Sequence, residues 1–277
     1  MGEAGTGAGR TWADDLALIL SFAARRRVDA EGPDAEETSG EAGDADDPLV
    51  EADDLGEFVR AAAAALAATD RQEVLRRALG FMTPVPGESV ERSFLVLFSA
   101  LESTLTFARG EDEYRILPRE EFAQLERELK AWLKSRPALA GDAARRALLY
   151  EKTRELNRLP FSRVFTMFCG RRGVELSDLW PLVGPLDGWP LLEIRHRLVH
   201  GDPFDASPGG ALVCATAHLR WTAERMLLAV LGWEAGRSGA APSRLSTQAE
   251  YAGWPAARAQ LAAAGGGEEG GEESPTT

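Results

Sequence analysis

Residues 88–109 read ESVERSFLVLFSALESTLTFAR, and their apolar spacing decides the fold class. Phe94, Leu97, Phe98, Leu101 and Leu105 recur at the α-helical period and form one wide stripe. Glu102 lies beside that stripe rather than opposite it. The preceding Thr83-Pro84-Val85-Pro86-Gly87 is a breaker and a candidate boundary. Elsewhere helix formers dominate and strand-like alternation is almost absent, so the expected fold class is all-α, a helical bundle.

Working outward, Thr11 is placed to cap a first helix through about Arg27. A second helical region covers about 55–78, with a break near Thr69-Asp70. Further helices are expected at about 118–135, 140–158 and 161–170, with a short one at 178–183 capped by Ser177. Asp187-Gly188-Trp189-Pro190 opens a helix that Gly201 closes and Pro203 prevents from continuing. A long helix over about 210–232 carries Leu212, Thr216, Leu219, Ala223, Met226 and Val230 on one seam, and 243–263 adds a weak terminal helix. The chain therefore divides into an N-terminal helix (1–28), a disordered acidic linker (29–54), a helical extension (55–82), a main helical domain (83–233), a weakly helical segment (234–264) and a disordered acidic tail (265–277).

The net charge of −13 comes from those two acidic segments. Residues 29–54 hold twelve acids and no base, and residues 265–277 hold four more, again with no base. Of the 44 acids, 28 remain outside them against 31 bases, so the rest of the chain is slightly positive at +3. Segments so poor in large apolar residues cannot offset the entropy of ordering. The total charge is thus no argument against a polyanionic partner, and the acidic linker is a candidate to screen a positive cleft. The absence of a long basic tract argues against tight nonspecific binding of nucleic acid.

No apolar run approaches the ~18 residues that span a bilayer, and the start lacks a charged-then-apolar signal pattern. Gly2 and Thr6 match a loose acylation pattern, for which chance in a Gly- and Ala-rich start suffices. Cys169 and Cys214 are too few for a disulfide framework or a cysteine metal site. A cytoplasmic protein is expected, with no cofactor. Three Lys, three Ile and one Asn against 28 Arg point to a GC-rich gene of bacterial type.

The stretch with chemistry in it is Glu193-Ile194-Arg195-His196-Arg197-Leu198-Val199-His200-Gly201. His196 and His200 stand one helical turn apart and can face one ion. The residue after the first histidine, where a zincin has its general-base glutamate, is Arg197, and no third ligand is near, so no metal is expected. Arg195 lies among Leu191, Ile194, Leu198 and Val199 on the apolar side, where a guanidinium needs an acceptor. Glu102 is the best protein candidate, and an anionic substrate is the alternative. Arg suits phosphate because its planar fork donates two parallel hydrogen bonds, and a histidine such as His200 exists in either protonation state near neutral pH. On an ideal helix Arg195 and His200 are roughly 140° apart. They do not share a face unless the helix loosens toward Gly201 or the site forms where two helices meet.

Arg195-His196-x-x-x-His200 resembles the R-x(4–6)-H motif of the HEPN superfamily, in which a polar residue follows the Arg. The flanks agree: a helix with an embedded acid upstream (Phe94 to Leu105, with Glu102), the Leu179-Trp180-Pro181-Leu182 turn, Leu-Val-His-Gly closing the motif helix, and a long helix ending Leu231-Gly232-Trp233. The likeness covers about 88–233, is specific only over 194–201, and is greatest to the Apea-like and abortive-infection branches. It implies a helical domain that pairs through its motif helices as a homodimer, and in catalytic members a metal-independent endoribonuclease of a toxin or antiphage-defence kind. Carried over, His200 moves the proton at the 2′-hydroxyl or the leaving 5′-oxygen. Arg195 binds the scissile phosphate, and His196 orients the pair or contacts phosphate. Arg197 and Glu102 support them. RNA is then the substrate, and an antitoxin or defence protein a partner.

The alternative is a non-catalytic interaction module for a protein or nucleotide, in which Arg195 pairs with Glu102 and His200 caps its helix. Arg145-Arg146 and Arg171-Arg172 are candidates to line an RNA path, although arginine pairs on helices are usually solvated. His218 reads as a partly exposed helix residue. The tryptophans read as core or turn anchors rather than a base-stacking platform.

Overall fold

The computed structural model describes residues 12–28, 47–110, 115–136, 138, 141–185, 189–201 and 209–265. Every regular element among them is helical, and the one strand-like feature is an isolated bridge between Arg115 and Arg158. The fold is all-α. In chain order the helices are α1 (Trp12–Ala24), α2 (Ala52–Ala67), α3 (Gln72–Phe81), α4 (Val90–Ala108), α5 (Arg119–Ser135), α6 (Ala143–Thr153), α7 (Phe161–Arg172), α8 (Leu191–His200), α9 (Gly209–Val230), α10 (Pro242–Leu245) and α11 (Ala249–Gly265). None is long and apolar enough to cross a membrane. Thr11, Asp187, Gly188, Pro203, residues 29–46 of the acidic linker and the tail after Gly265 lie outside the described residues.

The chain forms two compact units, Met1–Phe107 with Arg172–Thr277, and Ala108–Arg171. In the first, α1, α2 and α3 pack on one another and α9 packs along α11. The stripe of α4 is interior: Phe94, Leu97, Phe98, Leu101 and Leu105 are all buried. Phe58 of α2 joins Phe22 of α1 (centroids 6.2 Å apart) to Trp233 (5.5 Å, edge-on).

The long helix α9 does more than present a seam. Its last three turns are buried almost all round, from Trp221 to Leu228 without a break, as expected of a helix apolar on every face. Two adjacent charges interrupt that run, and each is answered. Glu224 takes two hydrogen bonds from the Arg25 guanidinium, at 2.8 and 2.6 Å. Arg225 gives two to Asp178, at 2.6 and 2.7 Å, and others to the carbonyls of Ala240 and Glu175, both at 2.9 Å. Buried charges persist only when paired in this way. The terminal segment α11 is likewise an integral packing partner of α9 rather than a weak appendage.

The acidic linker was expected to be disordered through residue 54, and here the structure differs. Residues 47–54 are built into the first unit, and α2 starts at Ala52. The reason is Leu49 and Val50, the large apolar residues of that stretch, which are both buried. Val50 donates its N–H to Ala23 (3.1 Å), and Leu49 accepts from Gly239 (2.8 Å). Gly239 is required there, since a β-carbon would stand 2.9 Å from the Pro48 carbonyl oxygen.

In the second unit α5 packs on α6 as a helical hairpin. Asn157, buried just after α6, accepts from Leu117 N–H (2.7 Å) and donates to its carbonyl (3.0 Å), so the chain entering α5 is tied to the end of α6. No residue of α5 is fully buried.

Candidate functional site: the α8 helix

The motif residues stand on α8. The first N–H groups of a helix lack intrahelical partners, and here those of Leu191 and Leu192 donate to the carbonyls of Pro181 and Leu182, each at 3.0 Å. That use of the backbone explains why the helix expected at 178–183 does not form. The segment is a bent loop whose Leu179, Trp180 and Leu182 are buried anchors. Trp180 donates its indole N–H to the Trp189 carbonyl at 2.9 Å. Trp189 is held at φ +43, a left-handed conformation rare for so bulky a residue. At the other end Gly201 takes φ +79 and donates to the Arg197 carbonyl, the expected glycine termination.

Leu191 and Ile194 fix the buried side of α8. Arg195 lies against α4, its guanidinium carbon 5.7 Å from the Phe98 ring centroid and a terminal nitrogen 3.6 Å from Glu102 Oε1. The expected Arg195–Glu102 pairing is therefore present, though at ion-pair rather than hydrogen-bond length. The side chains remain 31 % and 46 % exposed, so Arg195 is held and still reachable. Arg197 is engaged differently. It donates to Glu193 Oε1 at 3.1 Å and lies 4.5 Å from the centre of the Trp189 ring. His196 is exposed, with Nδ1 3.9 Å from Glu193 Oε2, and His200 is exposed at the helix end.

The helix is regular through His200, so it does not loosen toward Gly201. Arg195 and His200 consequently project in different directions, and the structure does not bring them together within one chain. His196 and His200 share a face, and Val199, one turn beyond Arg195, is an exposed apolar residue at 53 %. Among the described residues no three His, Cys, Asp or Glu side chains are grouped to hold a metal ion. Arg145, Arg171 and Arg172 are exposed and Arg146 is half-buried.

His218 is not the partly exposed residue expected from sequence. It is completely buried in an aromatic surround of Trp180, Trp221, Tyr251 and Trp254, with ring centroids 6.4, 4.8, 6.3 and 6.2 Å away. Nδ1 accepts the Trp180 backbone N–H (3.0 Å), which leaves Nε2 to donate to the Glu250 carbonyl (3.1 Å). Burial pushes its pKa down to about 4 and keeps the ring neutral. Cys214 shares that carbonyl at 3.3 Å, and burial, with the nearby Glu250 charge, pushes its thiol up to about 11, which makes it a poor nucleophile. Burial opposes the Asp178 carboxylate, yet Arg225 and the Tyr251 hydroxyl, 3.0 Å away, hold its pKa below the ordinary value. Only the Leu179-Trp180-Pro181-Leu182 turn hinted at this cluster in the sequence.

No protein-family model matches the chain, and comparisons with curated proteins and with solved structures give no match.

Proposed function

We propose that the protein is a metal-independent endoribonuclease of the HEPN-like kind, of a bacterial toxin or antiphage-defence type. It works as a homodimer in which two α8 helices meet. The observation that carries this reading is how α8 presents its residues. Arg195 is seated on Phe98 and Glu102 but remains a third exposed, while His200 stands exposed and turned away from it. On one regular helix the two point roughly 140° apart. Two antiparallel copies of α8 can aim both at a single phosphodiester, each site taking Arg195 from one protomer and His200 from the other, with Val199 as an apolar contact between them. The strained Trp189 at the entry to α8 adds support, since such strain concentrates at functional sites.

In that site His200 removes the proton of the 2′-hydroxyl, the 2′-oxygen attacks phosphorus, and the 5′-oxygen leaves with a proton returned by a histidine. Arg195 neutralises the extra negative charge of the pentavalent phosphorus, a preorganised transition-state contact. His196 orients the phosphate. The products are a 2′,3′-cyclic phosphate and a 5′-hydroxyl. The test is cleavage of RNA by the full chain in EDTA, with chromatographic identification of the cyclic phosphate. Arg195→Ala and His200→Ala are expected to abolish it with folding intact. Dependence on Mg²⁺, or cleavage unchanged in both variants, overturns the reading.

A second reading is favoured by the Arg195–Glu102 pair itself, which answers the guanidinium's charge without a substrate. In it the bundle is a non-catalytic module for a protein or nucleotide partner. It expects no RNA turnover and tolerance of His200→Ala in cells.

A further inference from the structure

The tip of the α5–α6 hairpin in the second unit carries chemistry that the α8 site does not use. Between Leu129 and Tyr150 the chain has five bases, Lys130, Lys134, Arg136, Arg145 and Arg146, and one acid, Asp142. Asp142 is committed as the cap of α6, its carboxylate accepting the Arg145 N–H at 2.8 Å. Lys130 turns back to Glu126 (2.6 Å), and Arg146 to the Gly141 carbonyl (2.6 Å). Lys134, Arg136 and Arg145 are exposed and, among the described residues, make no ion pair with a carboxylate. On the flank of α5 that carries Arg136, Trp132 is 47 % exposed, and the Arg136 guanidinium carbon lies 5.8 Å from the centre of its ring, whereas Lys134, two residues on from Trp132, falls on the opposite flank. An indole left in solvent on a helix with no buried residue is not an anchor of any core.

Cations interleaved with an exposed aromatic ring match a polyanion that also offers flat apolar faces, which is single-stranded nucleic acid. A duplex offers the phosphates but hides the base faces. An anionic membrane offers charge, but Trp132 could enter its headgroup layer only by shedding the guanidinium lying against it. In a base stack that guanidinium simply extends the pile.

We propose that this end of the hairpin is a contact for single-stranded RNA, with Trp132 stacking on a base and Arg136 and Arg145 taking the flanking phosphates. The proposal rests on the ribonuclease reading for the choice of RNA, and it stands or falls by binding rather than by cleavage. It also revises the sequence expectation that no tryptophan serves as a stacking platform.

The experiment is fluorescence anisotropy of a labelled oligouridine of about 12 nucleotides with the full chain carrying His200→Ala, which leaves the RNA uncut. Two phosphate contacts on a single strand predict affinity falling roughly 7-fold between about 50 and 200 mM salt. Arg136→Glu with Arg145→Glu is expected to weaken binding by about 10-fold or more at the lower salt and to flatten that salt dependence. Trp132→Ala is expected to weaken it at least ~5-fold and to remove the binding-induced quenching of indole fluorescence. These positions are exposed, and the milder Arg136→Gln with Arg145→Gln serves if the charge reversal does not fold. Oligouridine bound equally by parent and variants overturns the proposal, as does duplex RNA bound as tightly as single strand, or binding of phosphatidylserine vesicles without binding of RNA. Should the tip variants bind normally while wild type cleaves RNA in EDTA, the ribonuclease reading survives and this contact is wrong. Should the tip bind RNA that no form of the chain cleaves, the contact survives and the ribonuclease reading is wrong.

Discussion

The imidazole Nδ1 of His218 accepts the backbone N–H of Trp180 at 3.0 Å, and this one bond joins the middle of α9 to the loop that starts α8. From Trp180 the connection runs to Pro181 and Leu182, whose carbonyls receive the first N–H groups of α8, and to Trp189 through the Trp180 indole. A neutral imidazole is required, because a protonated ring has no acceptor for Trp180.

That requirement sets a pH dependence. The His218 pKa is pushed from 6.5 in the unfolded chain down to about 4 by burial. Between those values the unfolded chain binds a proton that the fold refuses, so stability is full above 6.5 and falls as pH drops toward 4. The loss amounts to about 3 kcal/mol. Asp178, held below its ordinary pKa, weakens the fold only at still lower pH. Urea unfolding across this window should show the decline in wild type. His218→Gln should be less stable at neutral pH but flatter below it, and an equal slope in both would count against the assignment.

Removing Asp178 should expose what a buried charge costs. Arg225 keeps only 3 % of its side chain exposed, and Asp178→Asn leaves that guanidinium with neutral acceptors. Destabilisation on the order of 3 kcal/mol is expected. Asp178→Asn combined with Arg225→Met should be less harmful than the two single effects added, as a double-mutant cycle in urea would show.

Glu102→Gln should behave in the opposite manner. The pair with Arg195 is long at 3.6 Å and partly open to solvent, so its loss should change stability by less than about 1 kcal/mol. If Glu102 positions Arg195 for a phosphate, the same substitution alters RNA cleavage several-fold. A melting temperature that drops sharply with unchanged cleavage would assign Glu102 to the core instead.

These residues also show what the sequence made legible. The stripe on α4, the break after Ala67 and the glycine end of α8 were readable because each is a local pattern of period, breaker or left-handed turn. The Arg195–Glu102 meeting was readable because a guanidinium among the apolar residues of α8 needs an acceptor and Glu102 stands beside the apolar stripe of α4. The burial of His218 was not, because its partners Trp180 and Glu250 lie 38 and 32 residues away. Glu224-Arg225 inside an apolar run is a signal of burial, since two adjacent charges there need two distant partners. The exposure of Trp132 is not legible, because it depends on whether a third layer covers its helix, which helical period does not report.

A site shared between two chains can be rebuilt by mixing inactive variants. Arg195→Ala and His200→Ala, each inert alone, should regain RNA cleavage when unfolded and refolded together in EDTA. In a two-fold dimer half of the random pairs are mixed, and each mixed pair has one intact site of two, so about one quarter of wild-type activity is expected. A mixture as inactive as its components, with wild type active, would contradict a shared site and place the chemistry within one chain.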